Sequence, residues 1–556
     1  AFYYLGVALK AQGKYDEAYE TFYKAIWSAA WQGPGYYSLA EIAALRGDMR
    51  GALELADRAL NANALNTRAL NLKAAVLRRV GRTAEAVRVA GAALKIDPLE
   101  VRSLAERWLA AKDPGAEKQL QAVLKDFPEA GLEAAVEFGN AGLWEDGTAV
   151  LTKMTGEKAS PLVYYYLGYF AEKLGRGEQA KQYWRQAAQA SPEYVFPFQH
   201  EAIAVLQRAM AVNPGDARAP YYLGNLLYDW QPEEAVRLWE QSRALDGSFA
   251  IVHRNLAVAY ARQENALEKA IASLEKAVSL GGQYAIHFFE LDQLYEAAGT
   301  APAKRLAMLE KYHPMVVQRD DATAREVALK VNMGKYDEAL ELMKGRRFNV
   351  WEGGARFSVH DYWTDAHLLK GHMHLKAGRP KEALADYQAA LEFPANLQVA
   401  RFRGGGRQAE ASYRIGVAYE ALGESARARE AWKEAAAELP RVGQDDVLPT
   451  TDRTVQLYYQ AMALRRMGET QRAALLFQRL VKSGESALAQ GQKVDFFAKF
   501  GEQQTQRARI AQAHYIAGLG HLGLNEKEKA REEFAKALET GPDHLGAKTA
   551  LAEIGQ

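Results

Sequence analysis

The chain has 556 residues, with 70 Lys plus Arg, 69 Asp plus Glu and no cysteine. A formal charge of +1 supplies no broad basic surface for phosphate groups, so we expect neither nucleic-acid binding nor attraction to anionic membranes. The lack of cysteine excludes disulfides, thiolate metal sites and thiol nucleophiles. It leaves the compartment undetermined, with the cytoplasm slightly favoured.

The N-terminal residues, Ala1 to Gly6, read as the middle of a helix rather than as a leader peptide. We therefore expect a processed or partial chain, part of whose function is encoded upstream. No uncharged apolar stretch reaches the roughly 18 residues that a bilayer requires, so membrane insertion is not predicted.

Small residues recur at a spacing of 34 from the start of the chain, as at Gly6, Ala40 and Ala74. An alanine follows each of them 12 positions later. The same pair returns at Gly168 and Ala180, Gly371 and Ala383, Gly416 and Ala428, Ala461 and Ala473, and Gly518 and Ala530. Two antiparallel helices joined by a short turn pack closely only where facing positions lack bulky side chains. The pattern therefore predicts a series of helical hairpins.

The second helix of one such unit, from Gln179 to Ala190, carries its apolar and small residues on one face, and Pro192 ends it. The positions that define the unit are Leu167, Gly168, Gly175, Ala180, Trp184, Ala187 and Pro192, and they recur as Ile415, Gly416, Gly423, Ala428, Trp432, Ala435 and Pro440. On these residues the chain resembles tetratricopeptide repeat (TPR) proteins. The resemblance implies an all-α fold, a TPR-type superhelix or α-solenoid of about 14 hairpins. No segment alternates with period two, so no sheet is predicted.

Changes in the regularity of the repeat divide the chain into five predicted segments. These are regular hairpins in 1–98, degenerate helical repeats in 99–160, hairpins in 161–344, hairpins with inserted loops in 345–542, and a C-terminal capping helix in 543–556. The degenerate repeats are expected to stay helical while opening a seam. Loops inserted into a repeat commonly gather on one face and carry function.

A narrower resemblance rests on the segments 220–229, 252–256 and 348–354. They are similar to the C-terminal part of a family of large bacterial TPR proteins, in which a β-rich N-terminal domain of uncharacterised function precedes the helices. The resemblance implies that this chain is the helical part of a longer protein and that its own upstream domain is a candidate partner. It implies no catalytic residue.

Asn225 and Asn255 lie close to the small packing position on the first helices of neighbouring hairpins. They resemble the asparagines that clamp a peptide backbone on the concave face of some TPR domains, and Tyr228 and Arg254 are candidate assisting residues. The alternative is that they are solvated groove residues without a ligand. The function that we favour is a scaffold whose concave face binds a peptide, a partner protein or a neighbouring domain.

The segment 348–363 mixes aromatic residues, carboxylates and arginines around a pair of glycines. Candidate binding residues are Trp351, Arg356 and Trp363, and candidate catalytic carboxylates are Glu352, Asp361 and the more distant Asp495. This mixture favours an alternative function, the binding or hydrolysis of carbohydrate. The competing interpretation is an apolar plug that seals an irregular hairpin junction. Because no catalytic motif occurs, enzyme activity is left open.

Four of the 11 histidines cluster at His360, His367, His372 and His374. Helical spacing would place the first, second and fourth of them about 10 Å apart per step, too far to share one ion. We therefore predict no metal site and no cofactor. The run from Arg403 to Arg407, with three glycines between, is interpreted as a linker or, alternatively, as an anion-binding loop.

Overall fold

A computed structural model describes residues 1–263, 266–281, 284–349, 359–399, 407–437, 450–489 and 506–555. Within these ranges there are 31 α-helices, one short 3-10 turn and no β-strand. The prediction of an all-α chain without a sheet is confirmed. Two compact units, residues 1–259 and 260–556, make up the chain. None of the described helices is long and apolar enough to cross a bilayer.

The helices that begin in the first unit are α1 (Phe2–Ala11), α2 (Tyr15–Ala25), α3 (Ala29–Leu45), α4 (Met49–Ala62), α5 (Thr67–Arg79), α6 (Thr83–Ile96), α7 (Val101–Ala111), α8 (Pro114–Asp126), α9 (Pro128–Asn140), α10 (Trp144–Thr152), α11 (Pro161–Lys173), α12 (Gly177–Gln189), α13 (Glu201–Val212), α14 (Arg218–Leu227), α15 (Pro232–Leu245) and α16 (Ala250–Ala261).

The helices of the second unit are α17 (Leu267–Ser279), α18 (Ala285–Ala297), α19 (Pro302–Lys311), α20 (His313–Val316), α21 (Asp320–Asn332), α22 (Tyr336–Lys344), α23 (Val359–Lys376), α24 (Pro380–Ala389), α25 (Gln408–Ala421), α26 (Ser425–Ala436), α27 (Thr450–Arg466), α28 (Thr470–Ala489), α29 (Gln506–Gly523), α30 (Lys527–Thr540) and α31 (Leu545–Ile554).

These helices follow one another as the first and second members of hairpins. All but α13, α20 and α31 form 14 consecutive pairs, which agrees with the number expected from the repeat. The turn within a pair ends the first helix at a glycine, as at Gly175, whose φ of +73° favours a residue without a Cβ. The amide of Gly175 donates to the carbonyl of Glu172 over 2.9 Å, and that of Arg176 donates to Ala171 over 2.8 Å. The turn thus satisfies carbonyls at the helix end.

A glycine on the first helix provides the space for an aromatic ring on the second. A Cβ built on Gly168 would lie 2.7 Å from the ring of Trp184, and one on Gly371 would lie 2.6 Å from the ring of Tyr387. The same relation joins Gly6 to Phe22, Gly224 to Trp239, Gly416 to Trp432 and Gly518 to Phe534. Where the first helix carries alanine instead, as at Ala40 and Ala74, the second helix has the buried Ala56 and Ala90 at the corresponding positions. At the glycines named above, the absence of a side chain therefore makes room for the ring.

The degenerate repeats in 99–160 form the helices α7 to α10. Arg78 of α5 donates to Glu106 of α7 and to Asp146 of α10, in each case over 2.9 Å. Glu106 is fully buried. These ion pairs connect the degenerate repeats to the regular ones before them.

One helix, α13, is a second helix without a first helix. Its residues Ala202, Leu206, Ala209 and Pro214 have the same spacing as Ala180, Trp184, Ala187 and Pro192 of the preceding repeat. Residues 191–200, which stand where a first helix belongs, contain no helix, and their side chains Tyr194, Phe196 and Phe198 are exposed. We call residues 191–214 the half repeat.

A cluster of buried charges lies near the start of the second unit. Asp292 of α18 has no exposed surface and accepts two hydrogen bonds from Arg305, over 2.8 and 2.9 Å. Arg325 of α21 donates to the same carboxylate. Two guanidinium groups therefore neutralise one buried carboxylate and join three helices.

Candidate functional site

A cavity of about 400 Å³ lies inside the second unit. Its walls come from α23, α25, α27 and α29, all first helices of their hairpins, and from one face of α31. The α31 residues in the wall include Leu545, Thr549 and Glu553. The face that first helices present in this unit is therefore partly covered by a helix of the same chain.

The centre of the cavity wall is a group of charged and polar side chains on α25 and α27. Arg407 donates to Glu410 over 2.6 Å and also pairs with Asp365 of α23. Arg414 lies 3.4 Å from Glu410 and donates to the hydroxyl of Tyr459 over 3.3 Å. Glu410 thus accepts from two arginines, and its side chain is fixed in place.

The same neighbours determine the charge of Glu410, which is 4% exposed. Burial alone raises the pKa of this carboxyl, but Arg407 and Arg414 outweigh burial and hold the pKa below its usual value. Burial and the nearby carboxylate raise the pKa of Tyr459, so the phenol remains protonated. Glu410 is therefore an ionised hydrogen-bond acceptor at neutral pH.

Carboxylates outnumber guanidinium groups around this cavity. The wall contains Asp361, Asp365, Glu410 and Glu553 against Arg407 and Arg414. An excess of negative charge in a partly desolvated site favours a ligand that carries positive charge.

The C-terminal residues of the second unit contact its beginning. Asp543, just before α31, pairs with Arg305 over 2.7 Å, and its carbonyl accepts from the side chain of Asn332 over 2.7 Å. Lys548 donates to the carbonyl of Asn332 over 2.7 Å. These contacts hold α31 across the unit, which makes the site a cavity rather than an open groove.

A histidine caps α31. The Nδ1 atom of His544 accepts from the amide of Ala547 over 3.1 Å, and its Nε2 atom lies 2.8 Å from the side-chain oxygen of Gln512. These contacts fit a neutral imidazole that carries its proton on Nε2. Burial lowers the pKa of His544 to about 4, which keeps the ring neutral at physiological pH.

The two predicted peptide-clamping asparagines are brought together in the first unit. The side-chain amide of Asn255 donates to the Oδ1 atom of Asn225 over 2.9 Å, and the indole of Trp239 donates to the same oxygen over 3.0 Å. The ring of Tyr228 lies 4.9 Å from that of Trp239. Arg254 precedes Asn255 on α16 and is half-buried. Asn225, Asn255 and Tyr228 therefore lie around Trp239, and the role of the four predicted residues in binding a peptide stays a prediction.

The described ends of the segment 348–363 lie in a hydrophobic core. Phe348 is buried, and its amide donates to the carbonyl of Asn396 over 2.8 Å. Trp363 is 5% exposed, donates its indole N–H to Ala389 over 2.9 Å and shares a core cluster with Phe348. This favours the apolar-plug interpretation and places Trp363 in the core instead of on a surface where a ligand could stack.

The remaining predicted residues of the carbohydrate alternative divide into two groups. Asp361 lines the cavity of the second unit. Trp351, Glu352, Arg356 and Asp495 lie outside the described residues. The carbohydrate alternative therefore stays a prediction.

The clustered histidines contact different groups. His367 and His374 approach the two carboxylate oxygens of Asp386, over 3.0 and 3.3 Å, while His372 lies 3.3 Å from Glu553 of α31. His360 approaches the carbonyl of Glu392 over 2.9 Å. Across the described ranges, no three His, Asp or Glu side chains are grouped closely enough to hold a metal ion.

Family models described as tetratricopeptide repeat match residues 1–29, 231–285, 364–396, 410–441 and 457–493. These five segments match tetratricopeptide repeats. The matched segments lie in both units, and they agree with the helical hairpins seen there. The β-rich upstream domain of the narrower resemblance stays a prediction.

Several solved structures are similar to this chain at low identity. A structure of Naa15/Naa10 bound to HypK-THB is 12% identical, with 100% of this chain and 96% of that chain covered and a TM-score of 0.26. The APC/C hetero-tetramer Cut9-Hcn1 is 11% identical, with 94% and 96% covered and a TM-score of 0.25. YrrB, described as a TPR protein with an unusual peptide-binding site, is 20% identical, with 42% and 95% covered and a TM-score of 0.19. These likenesses concern the fold alone.

The sequence analysis did not single out Glu410, Arg414 or Tyr459. One local signal was available, because Glu410 and Arg414 are four residues apart on the first helix that carries the packing glycine Gly416. Opposite charges at that spacing usually belong to a solvated helix face. Only the position of α27 and α31 shows that this pair is buried.

Proposed function

We propose that this protein is a TPR scaffold that binds a basic segment of a partner protein in the cavity of its second unit. The observation that supports this most directly is α31, a helical segment of the chain itself that already lies against the first helices of that unit. Its Glu553 lies 3.3 Å from His372 of α23, and its Leu545 packs against a hydrophobic core cluster. The first-helix face therefore accommodates a peptide segment through both polar and apolar contacts.

The chemistry of the cavity favours binding over catalysis. Glu410 is held ionised between two arginines, so it is a poor proton donor at neutral pH. Arg407 and Arg414 are paired with carboxylates and phenol oxygens of the protein itself. The side chains are thus fixed as acceptors and donors, which is the arrangement that recognition of a peptide requires.

The partner is expected to carry lysine or arginine, because carboxylates are in excess in the cavity wall. Either a separate protein or a neighbouring domain of the same polypeptide meets this description. The partner segment either uses the space beside α31 or displaces that helix.

Selection from a displayed random peptide library on the whole chain tests this proposal. We expect enrichment of peptides with basic residues, and we expect a selected peptide to bind Asp361→Asn about fivefold more weakly in fluorescence anisotropy. Glu382→Gln, an exposed carboxylate on the second helix α24, is the matched control and should leave the affinity unchanged. The proposal fails if no peptide is enriched, or if Asp361→Asn and Glu382→Gln bind the selected peptide equally well.

A further inference from the structure

The first unit contains a smaller cavity, of about 210 Å³, at the half repeat. It is bounded by α9, by Trp144 at the start of α10, by α11 and by the first residues of α13, with the end of α1 on the remaining side. Residues 191–200 supply no first helix to pack against α11 at this point. The missing helix leaves a space of about the size of one side chain.

Aromatic rings form one wall of this pocket. Trp144, Tyr166, Tyr169 and Phe170 line it, and the ring of Trp144 meets that of Phe170 edge to face at 5.2 Å. Lys173 already places its ammonium group 5.1 Å from the centre of the Tyr169 ring. Ring faces of this kind attract cations, most strongly where water is excluded.

One tyrosine of the wall has an unpaired hydroxyl group. Tyr166 is 3% exposed, and its hydroxyl makes no hydrogen bond to any part of the chain that the structure describes. Leaving a buried hydroxyl unpaired is costly, so a ligand atom that bonds to it would be stabilised. Burial raises the pKa of this phenol, and the nearby negative charge of Glu201 raises it further.

Glu201 supplies the only carboxylate of the pocket wall, at the first residue of α13. The side chain of Asn140 donates to its Oε1 atom over 2.9 Å, and the exposed His200 lies 3.3 Å from its Oε2 atom. Lys10 also lines the pocket, but its ammonium group is bound to Glu41 over 2.6 Å. Glu201 is therefore oriented and is not neutralised by the lysine beside it.

We propose that this pocket binds an alkylammonium group, such as the side chain of a lysine on a partner. The alkyl chain would lie on the aromatic rings, and the ammonium group would donate to Glu201 and to the oxygen of Tyr166. An aliphatic side chain of the same length would fill the space, but it would leave the hydroxyl of Tyr166 unpaired and would bring no positive charge to Glu201. This site lies in the other unit and is independent of the cavity described above.

Ligand-observed NMR on the whole chain at low salt tests this proposal. The probes are N-acetyl-lysine methylamide and its uncharged counterpart, N-acetyl-norleucine methylamide. We expect the lysine probe to bind at least about fivefold more tightly than the norleucine probe. We expect Glu201→Gln to weaken the lysine probe about tenfold and Tyr166→Phe about fivefold, without affecting the norleucine probe.

Glu193→Gln, which changes an exposed carboxylate outside the pocket, is the matched control and should bind like the unaltered chain. Asp361→Asn separates this site from the cavity of the second unit, since it should leave the Glu201-dependent binding intact. The comparison of the two probes on the unaltered chain needs no variant, so a folding defect cannot hide the result. Equal binding of the two probes, absence of binding by the lysine probe, or full binding by Glu201→Gln would each overturn the proposal.

Discussion

Replacing glycine by alanine should have opposite effects on stability at Gly168, which faces an aromatic ring, and at Gly91, which does not. Gly168→Ala adds a methyl group 2.7, 2.8 and 2.9 Å from three ring atoms of Trp184. Gly91→Ala adds the same group in the middle of α6, where no described atom beyond the neighbouring residues and backbone of that helix lies within 4 Å. The first change should destabilise its hairpin, and the second should stabilise its helix.

The magnitudes follow from two opposing contributions to the free energy of unfolding. Replacing glycine by alanine inside a helix stabilises it by about 0.5–1 kcal/mol. Carbon atoms normally approach to about 3.5–4.0 Å, so the ring of Trp184 must move by roughly 1 Å, and overpacking of this kind costs about 1–3 kcal/mol. We therefore expect Gly168→Ala to destabilise its hairpin by about 1–2 kcal/mol and Gly91→Ala to stabilise α6 by about 0.5–1 kcal/mol.

Hydrogen exchange of individual peptide segments is the appropriate assay, because a repeat array does not unfold as a single two-state unit. Protection of α11 and α12 should fall in Gly168→Ala, and protection of α6 should rise in Gly91→Ala. In a chain that also carries Trp184→Leu, Gly168→Ala should keep only the helix gain of about 0.5–1 kcal/mol, so the interaction energy equals the overpacking cost of about 1–3 kcal/mol. The reasoning is refuted if Gly168→Ala increases protection, or if its cost persists after Trp184→Leu.

Three further predictions concern single contacts. Asp292→Asn should destabilise the second unit by about 3–5 kcal/mol in thermal unfolding, because it leaves two buried arginines without their anion. Burial acts to raise the pKa of Asp292, but the two arginines outweigh burial and lower it. The unaltered unit should therefore lose stability as the pH falls below about 4. A melting temperature that stays constant below about pH 4 would contradict this. Burial lowers the pKa of His544 to about 4, so protonating this residue at low pH should destabilise α31. The opening free energy of α31 measured by hydrogen exchange should be highest above about pH 6.5 and about 3 kcal/mol lower at about pH 4. His544→Asn, which keeps a capping side chain, should remove this dependence on pH. Trp239→Phe removes the indole donor to Asn225 and should cost about 1 kcal/mol, while an unchanged melting temperature would show that the hydrogen bond contributes nothing.

Much of the fold was accessible from the sequence because each hairpin is specified locally. The small residue, the turn glycine and the alanine of the second helix lie within about 20 residues of one another, so their spacing alone predicts the pair. The half repeat was missed because only the second helix follows the pattern. The spacing of Ala202, Leu206 and Ala209 was the available signal, but it has no preceding glycine to mark it as a repeat.

The candidate sites were less accessible because they depend on contacts between distant repeats. Glu553 joins Asp365 and Glu410 in the cavity wall only because α31 returns to the first helices of its own unit, and no local pattern encodes that return. The contact between Asn225 and Asn255 was easier to anticipate, because both residues lie close to the small packing residue on the first helices of adjacent hairpins. The sequence could not place Trp363, because an aromatic residue beside an irregular segment looks the same whether it faces solvent or the core, and here it is buried.

The half repeat also bears on how repeat arrays acquire new surfaces. The usual route is addition, in which a loop is inserted between helices that keep their packing. At residues 191–214 the array instead retains a second helix while the segment before it contains no helix, and an aromatic pocket lies at that position. Removal of one helix from an existing hairpin is thus a way to create a concave site without lengthening any loop. Designed arrays could test this route by replacing a single first helix with an extended segment.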